Sequence, residues 1–232
     1  VTIPHKRSVL GVLSSVSPQA RALGAANTLV IEKHDRKAIR GENTDAAGFS
    51  AAIAAAGFSA AGSKALIVGA GGAARAVIYA LIEGKAETVT VLSRRVAKAR
   101  EVADWFTVTR QSSTRLRAAG LNAESLIAHA ADADLLVNAT PVGMWPAVEG
   151  SIWPEGNAVP SHLTVFDLVY NPDRTRLLQQ AASCGARGIS GLEMLVQQGA
   201  RSFFIWTNRQ APIESMRRAC KQQLMHEAGR MG

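Results

Sequence analysis

The spacing of apolar and polar positions divides the chain into three stretches. Over residues 1–44 the runs are short and mixed. Val1–Ile3 reads as the end of a strand, and Pro4, with no N–H to give a ladder, stops it. Ser17 and Pro18 ahead of QARALGA read as a helix start with proline in the first turn. NTLVIEKHDRKAIRGENTD reads as a hairpin, with Leu29–Glu32 against Ala38–Gly41 around a polar turn at His34–Arg36.

From Asp45 the texture changes. DAAGFSAAIAAAGF is an alanine-rich helix, closed by Gly57 at the usual C-terminal position. SKALIVGAG is a fully apolar run, the kind of strand that a parallel sheet buries on both faces. AARAVIYALIEG follows as a helix, TVTVLSRR as a strand and VAKAREVADWF as a helix. DADLLVNATP and LTVFDLVYNP are two more strands, each ended by a turn containing proline. Repeated β-α-β alternation predicts an α/β chain with a parallel sheet. The third stretch is helical: GLEMLVQQGARSFFIWTN, then a last helix with Pro212 at its first turn.

Composition narrows the classes. The 232 residues are 47% hydrophobic and 19% charged, enough apolar material for a sizeable core. No run of about 18 apolar residues is present, which argues against a membrane span. No charged-then-apolar leader is seen, so a cytoplasmic location is expected. Cys184 and Cys220 make no framework and have no metal-type spacing around them, so no metal is expected. The net charge of +8 admits anionic partners, but the basic residues are dispersed and aromatics are few. Nucleic acid is not the expected partner, and Arg217, Arg218, Lys221 and Arg230 read as a solvated helix face.

The strongest local signal is VGAGGAAR, which follows an apolar strand and opens a helix. Gly69 and Gly71 fit the first two glycines of the dinucleotide fingerprint, with Ala74 at its third small position. Gly69 permits the tight turn, Gly71 has no Cβ to block a pyrophosphate, and Ala74 lets the helix lie close on its strand. The backbone of Gly69, Ala70, Gly71, Gly72 and Ala73 then faces an anion at a helix N-terminus. The end of the next strand chooses the cofactor. An acidic residue there would hold a ribose 2′-hydroxyl. This chain has Ser93, Arg94 and Arg95 instead, with Lys98 one turn later. Charge-assisted hydrogen bonds of this kind contribute about 1.5–3 kcal/mol each, so the residues predict NADP(H) over NAD(H).

Lys6 and Asp45 mean little singly. VTIPHK, GAANTL and GENTDAAGF stand in that order before the fingerprint, however, and NATPVGM, FDLVYNP and GLEMLVQQGA after it. Together these motifs make the chain resemble the shikimate dehydrogenase family from Val1 to about Asn208. The resemblance implies two α/β lobes with a cleft between them: a doubly wound, Rossmann-type NADP-binding domain and a smaller α/β substrate domain, incomplete here. The division expected is 1–44 for the substrate domain, 45–190 for the NADP-binding domain, and 191–232 for helices that cross back. It implies reversible, NADPH-dependent reduction of 3-dehydroshikimate to shikimate, the step of aromatic amino-acid biosynthesis, with Lys6 and Asp45 as the catalytic pair. Thr2, Asn27, Tyr170 and Gln198 match substrate positions. Asn138, Thr140, Gly191 and Met194 match cofactor positions. Dimerisation stays open.

The chemistry agrees with those roles. Hydride delivery to a ketone builds negative charge on its oxygen, which a cation stabilises and a proton must follow. A lysine ammonium is charged at neutral pH, and a neighbouring carboxylate fixes its position. In the reverse direction the lysine must accept a proton, so oxidation is expected to run better at high pH. A quinate/shikimate dehydrogenase using NAD would carry an acid after the second strand. A non-catalytic NADPH-binding regulator would have no need of the pair. Against the resemblance, the chain is expected to lack the family's opening segment, with its two carboxylate-binding serines and an asparagine directly before Val1. Weak substrate binding, marginal folding or both are expected from that, with NADP binding better preserved. The family's N-R-T at the second strand is Ser93-Arg94-Arg95 here.

Overall fold

A computed structural model describes residues 1–2, 5–31, 38–110 and 112–229, with side chains to residue 226. After a short 3-10 turn at Ser8–Val12 come β1 (Ser15–Val16), α1 (Pro18–Leu23), β2 (Thr28–Ile31), β3 (Ile39–Glu42) and α2 (Asp45–Ala55). Then follow β4 (Lys64–Val68), α3 (Gly72–Glu83), β5 (Thr88–Ser93), α4 (Val96–Thr109), β6 (Arg115–Gly120) and α5 (Ala123–Ala130). The remainder is β7 (Leu135–Asn138), β8 (Thr164–Asp167), α6 (Arg176–Ser183), β9 (Arg187–Ser190), α7 (Gly191–Thr207) and α8 (Ile213–Gly229).

The larger sheet is wholly parallel, in the order β6-β5-β4-β7-β8-β9. Counted from β4 this is the doubly wound 3-2-1-4-5-6 arrangement, whose strand order reverses between β4 and β7. Its central strands are buried on both faces, which is why they read as continuous apolar runs. One core layer joins the sheet to α2, α3 and α4, where Phe49 stacks on Phe166 with ring centroids 5.1 Å apart. The other layer holds Trp153, Leu126 and Leu177. The smaller sheet runs β1-β3-β2, with β1 parallel and β2 antiparallel to β3.

Local chemistry sets the helix ends. The Ser17 hydroxyl accepts from the Ala20 N–H and caps α1. At the end of α2 the Phe58 N–H donates to Ile53 and Gly57 to Ala54, a Schellman closure with Gly57 at φ 73°. The predicted hairpin forms with Leu29 opposite Gly41 and Ile31 opposite Ile39. Its turn at His34–Arg36, and Glu32, lie outside the described residues, as do Ile3 and Pro4. Val1 and Thr2 are not in a strand, contrary to expectation; Val1 makes one ladder-like bond instead, its nitrogen donating to the Asn27 carbonyl at 2.7 Å. The edge strands β6 and β9, the helices α5 and α6 and the two-residue β1 were not predicted. Among the described residues no helix is long and apolar enough to cross a membrane.

Candidate active site

Two hollows flank the point where the strand order reverses. The first, about 500 Å³, is lined by Thr2, Lys6, Asn27, Asp45, Tyr170, Gly191, Met194 and Gln198, together with Ala73 from the first turn of α3. The Lys6 Nζ lies 2.6 Å from Asp45 Oδ2. Asp45 is the first residue of α2, where the helix dipole favours a carboxylate, and its backbone N–H donates to Asn43 Oδ1 at 3.0 Å. The side chain of Asp45 is only 5% exposed and that of Lys6 18%, so the pair is shielded but reachable from the hollow. The Lys6 carbonyl accepts from the Ala26 N–H at 2.8 Å, which fixes this segment beside β2.

Asn27 ties the pair to the rest of the hollow. Its Oδ1 accepts from the Thr44 N–H at 2.9 Å, which sets the amide orientation. Its Nδ2 then donates to the second Asp45 oxygen at 2.9 Å and, at 3.4 Å, to Gln198 Oε1. Gln198 Nε2 donates to the Leu195 carbonyl. Below them the Thr28, Thr44 and Ser202 hydroxyls join, Thr28 to Ser202 at 2.8 Å and Thr44 to Ser202 at 3.1 Å. The helices α2 and α7 approach closely because Gly48 has no side chain: a Cβ there would lie 2.9 Å from the Gln198 nitrogen. Likewise a Cβ on Gly191 would lie 2.4 Å from the Leu168 carbonyl oxygen, so glycine lets α7 begin against the loop after β8.

The second hollow, about 540 Å³, is lined by Gly69, Ala70, Gly71, Ser93, Arg94, Arg95, Lys98 and Thr140. Gly69 has φ 116°, and a Cβ there would lie 2.8 Å from the Ala139 carbonyl oxygen. Gly71 is different: its added Cβ meets nothing within 4 Å and would occupy the space of the groove. Ala74 is fully buried between α3 and the sheet. Among the described residues neither Arg94 nor Arg95 has a side-chain hydrogen bond or ion pair, whereas Lys98 Nζ is 2.6 Å from Glu101 Oε2. A glycine turn open to the groove, a helix N-terminus and two guanidinium groups with no partner among the described residues fit a dinucleotide with a phosphorylated ribose.

The site residues expected from sequence are thus gathered into these two hollows, with two exceptions. Gly72 opens α3 without lining either hollow. Asn138 is completely buried and serves the turn beside it. Its Oδ1 accepts from the Thr140 N–H at 3.0 Å and hydroxyl at 2.6 Å, and its Nδ2 donates to Asp167 at 2.9 Å. Asp167, also fully buried, accepts from the Thr175 hydroxyl at 2.6 Å and the Val169 N–H at 3.0 Å. Burial pushes the Asp167 carboxyl above the ordinary range, against these hydrogen bonds, which pull it down.

Sequence reasoning missed Thr28, Thr44, Ser202, Trp206 and Asp167. Ser202 was findable, because it stands four residues after Gln198 and so shares its helix face. A larger hollow of about 860 Å³, between Trp145, Pro172 and α6, holds none of the expected residues. We place the site in the two smaller hollows because the convergent polar groups are there.

Comparison with known proteins agrees with this fold. Residues 52–144 match the model of the shikimate / quinate 5-dehydrogenase family, and 191–221 that of the shikimate 5'-dehydrogenase C-terminal domain. A shikimate dehydrogenase (NADP(+)) of Methanopyrus kandleri is 40% identical over 225 residues, 97% of this chain and 76% of that protein. The shikimate 5-dehydrogenase of Thermus thermophilus, solved in complex with NADP(H) and shikimate, is 37% identical with a TM-score of 0.80, covering 95% of this chain and 77% of that one. The Listeria monocytogenes enzyme, in complex with shikimate and NAD, is 30% identical with a TM-score of 0.85, covering 94% and 75%. On its motifs, its doubly wound sheet and these likenesses, the chain belongs to the shikimate dehydrogenase family of oxidoreductases.

Proposed function

We propose that the chain interconverts 3-dehydroshikimate and shikimate with NADP(H), and that Lys6 and Asp45 are its acid–base pair. The observation that carries this reading is the 2.6 Å Lys6–Asp45 contact in a hollow that also takes in the first turns of α3 and α7. Bound NADPH supplies the hydride. Gly69–Gly71 and the N-terminus of α3 would hold its pyrophosphate, Arg94 and Arg95 its 2′-phosphate, and Gly191 and Met194 would border its nicotinamide.

The residues of the chain do the rest. The Lys6 ammonium stands where charge develops on the substrate oxygen and gives its proton there. Asp45 holds that ammonium in place through one oxygen while Asn27 holds Asp45 through the other. Asn27 and Gln198, with Thr2 and Tyr170 at the edge, orient the substrate hydroxyls. The working division is a substrate lobe from residues 1–44, an NADP lobe from 45–190, and a return of 191–232 to the first. The packing of α7 against β2, with the Trp206 indole N–H donating to the Leu29 carbonyl, supports that return.

Lys6→Ala tests the assignment. The expected outcome is a kcat lower by roughly 10²–10⁴, the usual share of general acid–base catalysis, with NADPH affinity unchanged. Full turnover in that variant rules Lys6 out as the acid.

A further inference from the structure

The cations at the mouth of the nucleotide groove are not equivalent. Arg94 and Arg95 follow β5 and have no described partner, while Lys98, the third residue of α4, is drawn back onto Glu101 one turn further along the helix. Glu101 does not line the groove. Its other oxygen lies 3.5 Å from Nη2 of Arg75, a buried residue of α3 whose guanidinium sits over the Trp105 ring at 5.6 Å. Glu101 is therefore anchored from the α3 side, and Lys98 is the member of the pair free to turn toward the groove. The hydrogen bond from Lys98, then the charge of Lys98, hold the Glu101 carboxyl below its usual range, so it is anionic at neutral pH.

We infer that Glu101 moderates the cofactor discrimination of the groove by competing with a ribose 2′-phosphate for the Lys98 ammonium. This rests on the NADP reading above. A 2′-phosphate gains a charge-assisted bond from Lys98 only by breaking or sharing the bond to Glu101. A ribose that keeps its 2′-hydroxyl makes no such claim on the ammonium. Glu101 thus weakens NADP(H) binding and leaves NAD(H) binding alone, and Lys98 is the group through which it acts.

The test is a fluorescence titration of NADPH and NADH into the wild-type chain, Glu101→Gln, Lys98→Met and the double variant. Exposed ion pairs of this kind are modest, so Glu101→Gln is expected to tighten NADPH about two- to fivefold at low salt. NADH is expected to bind as in the wild type, which also reports an intact groove. The gain shrinks as salt is raised, because the Debye length falls to about 3 Å at 1 M. With Lys98→Met already present, Glu101→Gln is expected to add nothing. An NADPH affinity unchanged or weakened by Glu101→Gln overturns the inference, as does an equal gain without Lys98. If the wild-type chain binds both cofactors alike, the NADP reading fails and takes the inference with it. If the wild type prefers NADPH while Glu101→Gln gains nothing, the inference alone fails.

Discussion

Gly48→Ala sets two physical effects of opposite sign against each other. In a helix interior alanine is favoured over glycine by about 1 kcal/mol, so propensity alone predicts a more stable protein. The contact predicts the reverse. The new methyl would lie 2.8 Å from the Gln198 Cβ, 2.9 Å from its nitrogen and 3.0 Å from the Met194 carbonyl oxygen. Two of those atoms are α7 backbone and cannot swing aside. Restoring ordinary contact at 3.4 Å from the nitrogen needs 3.4 − 2.9, about 0.5 Å, of separation between α2 and α7. Overpacking of this kind costs about 1–3 kcal/mol, which equals or exceeds the propensity gain. A net loss of up to about 2 kcal/mol is expected, visible as a melting temperature several degrees lower. The same movement pulls Gln198 away from Thr44 and Asn27, whose bonds to its Oε1 are already long at 3.3 and 3.4 Å. Since a misplacement of about 1 Å can cost 10²-fold, half of that is expected to raise the KM for shikimate about tenfold. The NADPH dissociation constant is expected to stay put. Initial rates followed by NADPH absorbance, beside a thermal melt, decide the matter: a variant with a higher Tm and an unchanged KM refutes the close-approach argument.

Two further outcomes are expected. Arg94→Ala is expected to raise the NADPH dissociation constant by roughly ten- to a hundredfold and to leave NADH unaffected, as read by fluorescence titration. Asp167 should leave a signature in stability against pH. Its carboxyl is held above the ordinary range by burial, so the folded chain keeps that proton to a higher pH than the unfolded one. Its contribution is then fully present below the unfolded value of about 3.9 and is lost as pH rises through the raised folded value. Urea unfolding across that window is expected to show wild-type stability falling relative to Asp167→Asn as pH rises; a pH-independent difference contradicts this.

The legible parts of the fold were those where burial leaves a mark on composition. β4, β5, β7 and β8 are interior strands and read as apolar runs. β6 and β9 are edge strands, each with exposed arginines (Arg115 and Arg187), and carry no such run. α5 and α6 have eight residues each, too short for a helical period to stand out. The site was legible through motifs rather than periodicity. Lys6 and Asp45 are 39 residues apart, and nothing in spacing alone brings them together. Asn138 shows the limit of motif reading: it is in the expected place but turned inward, because its amide is spent on Asp167 and Thr140. The buried hydroxyls of Thr28, Thr44 and Ser202 come from three separate elements, and only the folded chain makes them neighbours.

α2 touches three things at once. Asp45 stands at its tip, Gly48 on its flank bears on α7, and Phe49 stacks on Phe166 in the parallel sheet. A rod so clamped ties its tip to the sheet: a shift of Phe166 against Phe49 is expected to move the Asp45 carboxylate. The packing of the sheet and the placement of the Lys6–Asp45 pair therefore share one mechanical part, and a substitution that loosens the first is expected to detune the second.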